Sequence, residues 1–411
     1  MVRRSIRLWR TKVQGLSRRA VLAAAAAWAA ASLAGALPAA AQNFQTIAPH
    51  AILMDFDTGT VLFEKAADEL VAPASTAKTM AVEVIFNEIK QGRLNLDSEF
   101  VISENAWRRG GAASGGSAMF AKLNDRIKLS DLLRGIIVQS GNDASIAVAE
   151  GIAGSEDGFA TMMTRRAREL GLTKSTFRNA TGFHHPDQKV TARELALVAS
   201  HIIEAYPDLY KIFAEREFTW NKIRQQNRNP LLKFDIGADG LKTGYIEESG
   251  YGLVASAVQQ GQRLILVVMG LKSARDRENE ARKLLEWGFR AFEARLLFAA
   301  GEPIGEAKVF GGARNVPLVA KKPVRLLFPR GAGERVAARI VYTGPLKPPV
   351  KEGAEVARLR VTRGDVQALD LPLYAGEDVL VGDLKQRAVD GLLEFGTGLV
   401  KRAFSRGAAG G

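Results

Sequence analysis

Two apolar runs, GYGLVASAV (250–258) and RLILVVMG (263–270), are separated only by the short turn QQGQ. A connection that short makes them an antiparallel strand pair. A second hairpin signal lies near the start, where AILMDF (51–56) and VLFE (61–64) flank the turn-rich DTGT. Helical patterns fill the space between. One is expected from about Ser75 to Lys90, stopping at Gly92. Another begins at Ser130 and Asp131 with an apolar face of Leu132, Leu133, Ile136 and Ile137. A third spans 155–172, with acids in its first turn and Gly171 as its stop. Thr191 and Glu194 form a capping box before LALVASHII, and 279–297 reads as an amphipathic helix after the second strand pair. Antiparallel strands mixed with helix clusters specify an α+β fold rather than a doubly wound sheet.

Near Gly301 the pattern changes. Short alternating runs replace helical ones, as in VRLLF, RIVY and VARLRV (356–361), where Ala357, Leu359 and Val361 alternate with Arg358 and Arg360. A small all-β domain of residues 299–380 therefore follows a main domain of residues 42–298. The tail, 381–411, has helical period, with Val389, Leu392, Leu393, Leu399, Val400 and Phe404 on one side. Such a helix either lies flat on an anionic bilayer or packs on its own domain.

The formal charge is +13, but seven arginines and lysines and no acid fall within residues 1–41. That segment has a basic head, an apolar alanine-rich core from Ala20 to Leu37, and an A-x-A site at Ala39–Ala41. It reads as an export signal. Arg18 and Arg19 resemble a twin-arginine signal, and a general secretory signal is the alternative. The +6 left on the remainder suits an anionic surface, and without an arginine cluster interleaved with aromatics no nucleic-acid partner is expected. No cysteine occurs, so thiol chemistry and cysteine metal sites are excluded. His184 and His185 adjoin in FHHPDQK, which reads as a solvated loop, and no metal or cofactor is expected.

Chemistry first appears at PASTAKTM (73–80), where Lys78 stands one turn beyond Ser75 at the head of an apolar helix. Serine needs a proton acceptor to become a nucleophile. Lysine can serve if burial and a neighbouring cation lower its pKa. A lone S-x-x-K is a weak signal. Two further segments follow: SGND (140–143), with Ser140, Asn142 and Asp143 opening a helix, and KTG (242–244), just before a strand. Separately these read as a helix cap and a solvated turn. Ser103 and Asn105 also satisfy S-x-N, but they lie close to Ser75 and read as a plain helix start. The three motifs in this order form a recognised catalytic set.

With SENAW, QSGNDASIAVAE, GSEDGF, IRQQNRNPLL, DGLKTGYIEESGYGLVASA and LLEWGFRAFE, the chain closely resembles low-molecular-weight penicillin-binding proteins, the D-alanyl-D-alanine carboxypeptidases of type 5. The resemblance covers most of 45–295 and continues more weakly beyond. It implies a β-lactamase/transpeptidase-like domain, a β-rich second domain and a C-terminal amphipathic anchor at the periplasmic face of the inner membrane. It implies peptidoglycan stem peptides as substrates and β-lactams as covalent inhibitors. Carried onto this sequence, Ser75 would be the nucleophile and Lys78 its base. Ser140 would relay a proton, Asn142 would orient Lys78 and the substrate, and Lys242 would support the electrostatics. The backbone N–H groups of Ser75 and Tyr245, the latter beside Gly244, would hold the oxyanion. Thr243 and Arg277 would hold the terminal carboxylate, and Arg228 in NRNP would lie near the site. Many relatives have histidine where this chain has Tyr245. A class A β-lactamase, with Glu169 as deacylation base, and a non-hydrolytic wall-binding scaffold are the competing readings.

Overall fold

The computed structural model describes residues 44–330, 336–363 and 366–384. The segment read as an export signal and nearly all of the tail read as an amphipathic helix lie outside the described residues.

The strands and helices of the first three hundred residues follow in this order. β1 is His50–Asp55 and β2 Val61–Lys65; a 3-10 turn at Ala74–Ala77 leads into α1, Lys78–Lys90. β3 (Glu99–Val101) and β4 (Arg126–Lys128) form a small ribbon before α2, Leu129–Arg134. Then come α3 (Asn142–Ala153), α4 (Glu156–Glu169), α5 (Ala192–Ala205) and the single turn α6 (Pro207–Tyr210). β5 (Glu217–Trp220) and β6 (Ile223–Gln226) make a second ribbon. β7 (Ala238–Ile246), β8 (Gly250–Gln259) and β9 (Gln262–Leu271) precede α7, Ala274–Ala291.

The main sheet is antiparallel, in the order β2-β1-β9-β8-β7, which leaves β7 as an open edge. Alternate residues of its strands enter two different cores. Ile52, Met54, Ile265, Val267 and Met269 join the helical cluster that contains α1 and α5. Leu53 and Leu264 meet α7 so closely that a Cβ on Gly288 would sit 2.6 and 2.7 Å from their side chains. The sheet is thus sandwiched, which explains why its strands read as nearly unbroken apolar runs.

α1 runs through the middle of the helical core, with every residue from Lys78 to Phe86 buried. It carries a carboxylate there. Glu83 accepts from Arg166 Nε and Nη2 at 3.1 and 3.0 Å and from the Tyr206 hydroxyl at 3.0 Å. A buried charge survives only when it is paired and hydrogen-bonded, and this pairing ties α1 to α4.

Beyond α7 the strands are β10 (Phe292–Phe298), β11 (Pro303–Ala307), β12 (Val316–Val319), β13 (Val324–Pro329), β14 (Val336–Val341), β15 (Glu355–Arg363) and β16 (Val366–Ala375). Five form one antiparallel sheet, β11-β12-β16-β15-β14, and β10 pairs with β13. The alternation in VARLRV has its expected form. Ala357, Leu359 and Val361 are core, while Arg358 Nε and Arg360 Nε pair with opposite oxygens of Asp370 at 2.6 and 3.2 Å.

Several sequence expectations need correction. The last helix of the main domain starts earlier than read from sequence, because Ser273 caps it by accepting from Asp276 N. It also ends earlier, at Ala291, since FEARLLF is taken up as β10 against β13. The 155–172 helix closes at Glu169. KTG is not a turn before a strand but lies inside β7, which the alternation rule missed because Gly, Lys and Thr carry no apolar signal. The capping box at 191–194 is half-formed: Thr191 Oγ1 accepts from Glu194 N, but the Glu194 carboxylate accepts instead from Lys174 N and Ser175 N.

Candidate active site

Ser75 is in the 3-10 turn Ala74–Ala77, not in the first turn of an α-helix. Pro73 opens that turn, and its carbonyl accepts from Thr76 Oγ1 at 2.5 Å. In a 3-10 turn residues i and i+3 eclipse, which brings Lys78 directly over Ser75. Lys78 Nζ lies 3.0 Å from Ser75 Oγ, 2.7 Å from Asn142 Oδ1 and 2.6 Å from the Thr181 carbonyl oxygen. Two of these three partners can only accept. A neutral amine has two N–H bonds and one lone pair. With both N–H bonds given to the two carbonyl oxygens, the lone pair faces the serine, the only partner with a proton to donate.

The Lys78 side chain is wholly buried, and its pKa is pushed down to about 7. Burial is the leading cause, opposed by the negative charges of Asp143 and Glu156. The reading from sequence also invoked a neighbouring cation. Lys242 is such a neighbour, and burial and then the charges of Lys78, Arg228 and Arg277 hold it well below the usual lysine range.

The Thr181 carbonyl was invisible in sequence, because a main-chain oxygen leaves no residue signature. Its loop is tightly built. Asn179 Oδ1 accepts from Thr181 Oγ1, Gly182 N and Gln188 Nε2 at 3.1, 2.7 and 3.2 Å. Glu156, at the first turn of α4, accepts from Ala180 N at 3.3 Å and from Arg109 Nη1 at 3.0 Å. Gly182 has φ +86°, and a Cβ there would overlap the Ala74 carbonyl and stand 2.8 Å from Ser75 N. Gly182→Ala should therefore destabilise the protein by about 1–2 kcal/mol from backbone handedness alone. It should also slow acylation by about a hundredfold by displacing Ser75. Penicillin-labelling rates and thermal melts check both, and an unchanged labelling rate would show that the loop moves without moving the serine.

Ser140 and Asn142 flank the start of α3. Ser140 adopts a left-handed conformation, φ +68°, and its buried Oγ has no hydrogen-bond partner among the described residues. Asn142 is the first residue of α3 and reaches Lys78, as given above. The following Asp143, read from sequence only as part of the helix start, has a further role. Its carboxylate accepts from Met119 N and Ala121 N at 2.9 and 3.2 Å and fixes the chain beside the site. Burial raises its pKa, and those backbone N–H groups oppose the rise. The glycine- and serine-rich segment RRGGAASGGS (108–117) packs here too, since a Cβ on Gly116 would fall 2.9 Å from Asn142 Nδ2.

β7 closes the other side. A Cβ on Gly244 would lie 2.9 Å from Thr76 N and 3.0 Å from the Pro73 carbonyl, so the strand edge is pressed against the turn that carries Ser75. Lys242 and Thr243 are buried, and Lys242 Nζ donates to the Thr243 carbonyl at 3.1 Å. Tyr245 is half exposed, with its ring stacked on Tyr251 at 4.1 Å between centroids. Arg228 donates through Nε to Gln139 Oε1 at 3.3 Å, next to Ser140. Arg277, in the first turns of α7, senses Arg228 electrostatically, and burial lowers its pKa.

The other sequence candidates stand apart from this cluster. Glu169 accepts from Arg166 Nη1 at 3.1 Å at the solvated end of α4. Ser103 Oγ accepts from Ala106 N, and Ser103 and Asn105 both bond Glu150, which makes them a local cap.

A nucleophile touching a buried amine, beside an open strand edge and a group of cations, suits acyl transfer from a substrate with an anionic end. Comparison with known proteins agrees with this chemistry. Residues 36–273 match the family model described as D-alanyl-D-alanine carboxypeptidase, and 292–380 match that of the penicillin-binding protein 5 C-terminal domain. The chain is 40% identical over 343 residues to the D-alanyl-D-alanine carboxypeptidase DacC of Escherichia coli, covering 82% of this chain and 86% of that protein. It is 39% identical to DacA of Haemophilus influenzae, over 75% and 79% of the two chains. Among solved structures, penicillin binding protein 5 from Haemophilus influenzae is similar with a TM-score of 0.73 and 36% identity, covering 83% of this chain and 99% of that one. Penicillin binding protein 6B from Escherichia coli is similar with a TM-score of 0.66 and 32% identity, covering 84% and 98%.

Proposed function

The chain belongs to the D-alanyl-D-alanine carboxypeptidase family, and from that premise we propose that it is a serine-type enzyme that removes the terminal D-alanine of peptidoglycan pentapeptides through an ester on Ser75. The observation that carries this reading is the 3.0 Å contact between Lys78 Nζ and Ser75 Oγ, with the amine's other two partners restricted to accepting. As Oγ adds to the carbonyl between the last two D-alanines, its proton passes to Nζ. The N–H groups of Ser75 and Tyr245 hold the oxyanion. Collapse breaks the C–N bond, and the unpartnered Ser140 hydroxyl relays a proton to the departing D-alanine. Asn142 orients Lys78 and the substrate amide. Thr243 and Arg277 receive the terminal carboxylate, Lys242 and Arg228 add positive potential, and Gly244 lets the strand edge approach. Water then adds to the ester and frees Ser75. A β-lactam enters the same site and stays on the serine.

The layout proposed with this activity is an export signal at 1–41, a catalytic domain at 42–298, a β-domain at 299–380 and a membrane-associating tail at 381–411. It would place the enzyme at the periplasmic face of the inner membrane.

Incubation with a pentapeptide ending in D-Ala-D-Ala should release D-alanine. Fluorescent penicillin separates the readings: a long-lived adduct for the carboxypeptidase, rapid turnover for a β-lactamase, no label for a scaffold. The pH dependence follows from the lysine. Only the uncharged amine accepts a proton, so acylation should rise about tenfold per unit below pH 7 and level off above it. A rate independent of pH from 5 to 8 would remove Lys78 from the base role.

A further inference from the structure

Arg277 lacks what usually holds a half-buried arginine. Its Nε is buried with no hydrogen-bond partner. The adjacent acid, Glu278, is taken by Lys233, whose Nζ lies 2.7 Å from Oε2. Among the described residues Arg277 forms no ion pair. Its guanidinium carbon instead lies 5.6 Å from the centroid of the Tyr251 ring. That ring is stacked on Tyr245 at 4.1 Å and 28°. The stack is set by register. Tyr245 and Tyr251 are direct partners across the β7–β8 hairpin, so their side chains leave the same face of the sheet. Tyr251 is also paired with Leu271 on β9, where the ladder shifts before Leu253. Two residues beyond Leu271, Ser273 caps α7, and Arg277 N donates to the Ser273 carbonyl at 3.0 Å. One short path of chain thus fixes both the ring and the arginine.

The two ways of holding a guanidinium differ in consequence. A carboxylate would neutralise it and occupy its donors. An aromatic face attracts the cation through its quadrupole and takes no N–H. The terminal N–H groups and the charge then remain for an incoming anion.

We infer that Tyr251 is a positioning residue that holds Arg277 by its ring and thereby sets the preference for substrates ending in a free carboxylate. This rests on the reading of the site given above. The test compares two acyl donors of the same acyl group: a peptide ending in D-Ala-D-Ala, and a thioester whose leaving group has no carboxylate. Tyr251→Leu should lower kcat/KM about tenfold on the carboxylate substrate, mainly through KM, and less than twofold on the thioester. Tyr251→Phe keeps the ring and should stay within twofold of wild type on both. An equal loss on both substrates in Tyr251→Leu, or a loss in Tyr251→Phe matching that in Tyr251→Leu, overturns the inference. So does a wild-type enzyme that shows no preference between the two substrates. A wild type that turns over neither substrate defeats the carboxypeptidase reading instead.

Discussion

Replacing Ser75 by alanine should abolish the covalent penicillin adduct and lower D-alanine release by roughly a million-fold, the scale seen when a covalent nucleophile is removed. The fold should not suffer. Among the described residues the Ser75 hydroxyl hydrogen-bonds with Lys78 Nζ and, at 3.4 Å, with the Thr181 carbonyl, while the turn is held by Pro73 and Thr76. A stability change below about 1 kcal/mol is expected. Intact-protein mass spectrometry after exposure to penicillin reads the adduct directly. An adduct surviving in Ser75→Ala would point to another hydroxyl, Ser140 being the nearest candidate by motif, and would sink the assignment.

Lys78→Met should slow acylation by about 10³–10⁴-fold, the usual weight of a general base. It should also leave the protein as stable as wild type or more so. The lysine pKa is depressed from 10.5 to about 7 on folding. Between those values the unfolded chain binds the proton and the folded chain does not, so stability rises with pH across that window. Below pH 7 the folded protein carries the whole penalty of charging a buried amine, about 5 kcal/mol. Methionine removes that penalty. It leaves the Thr181 and Asn142 oxygens short of a donor, at about 1–3 kcal/mol each, so the two effects nearly offset. Denaturant melts at pH 6 and pH 9 test this. The wild type should gain stability over that range relative to Lys78→Met. Parallel behaviour of the two proteins would mean that the amine is charged in the native state.

The α+β class, the two hairpins and the all-β second part were readable because they rest on periodicity, which survives in a single sequence. Strand bounds at 250–258 and 263–270 differ from the structure by a residue. What periodicity cannot see was lost. β7 contains Gly240, Lys242, Thr243 and Gly244, whose sequence carries no alternating apolar signal, and its edge position brings both its main chain and the Lys242 and Thr243 side chains to the site. Ser75 and Lys78 were legible as a pair, but the 3-10 geometry that eclipses them was not. Thr181 contributes a carbonyl, and although Asp143 and Glu156 lie in the quoted SGND and GSEDGF, the backbone N–H groups they accept from are far away in sequence, so no motif could announce those contacts. Glu169 and Ser103 show the opposite case, residues of the right type that tertiary structure assigns to local pairing.

The open edge of β7 has a consequence for how this protein can change over generations. A groove floored by peptide groups offers its N–H and C=O to anything shaped like an acylated D-alanine. No codon change deletes a main-chain amide short of introducing proline. Discrimination between peptidoglycan peptide and antibiotic must therefore evolve in side chains and in surrounding loops such as 108–117 and 179–183, or in the speed with which the ester is released. Heritable resistance by loss of the main-chain contacts along that edge is closed to this architecture.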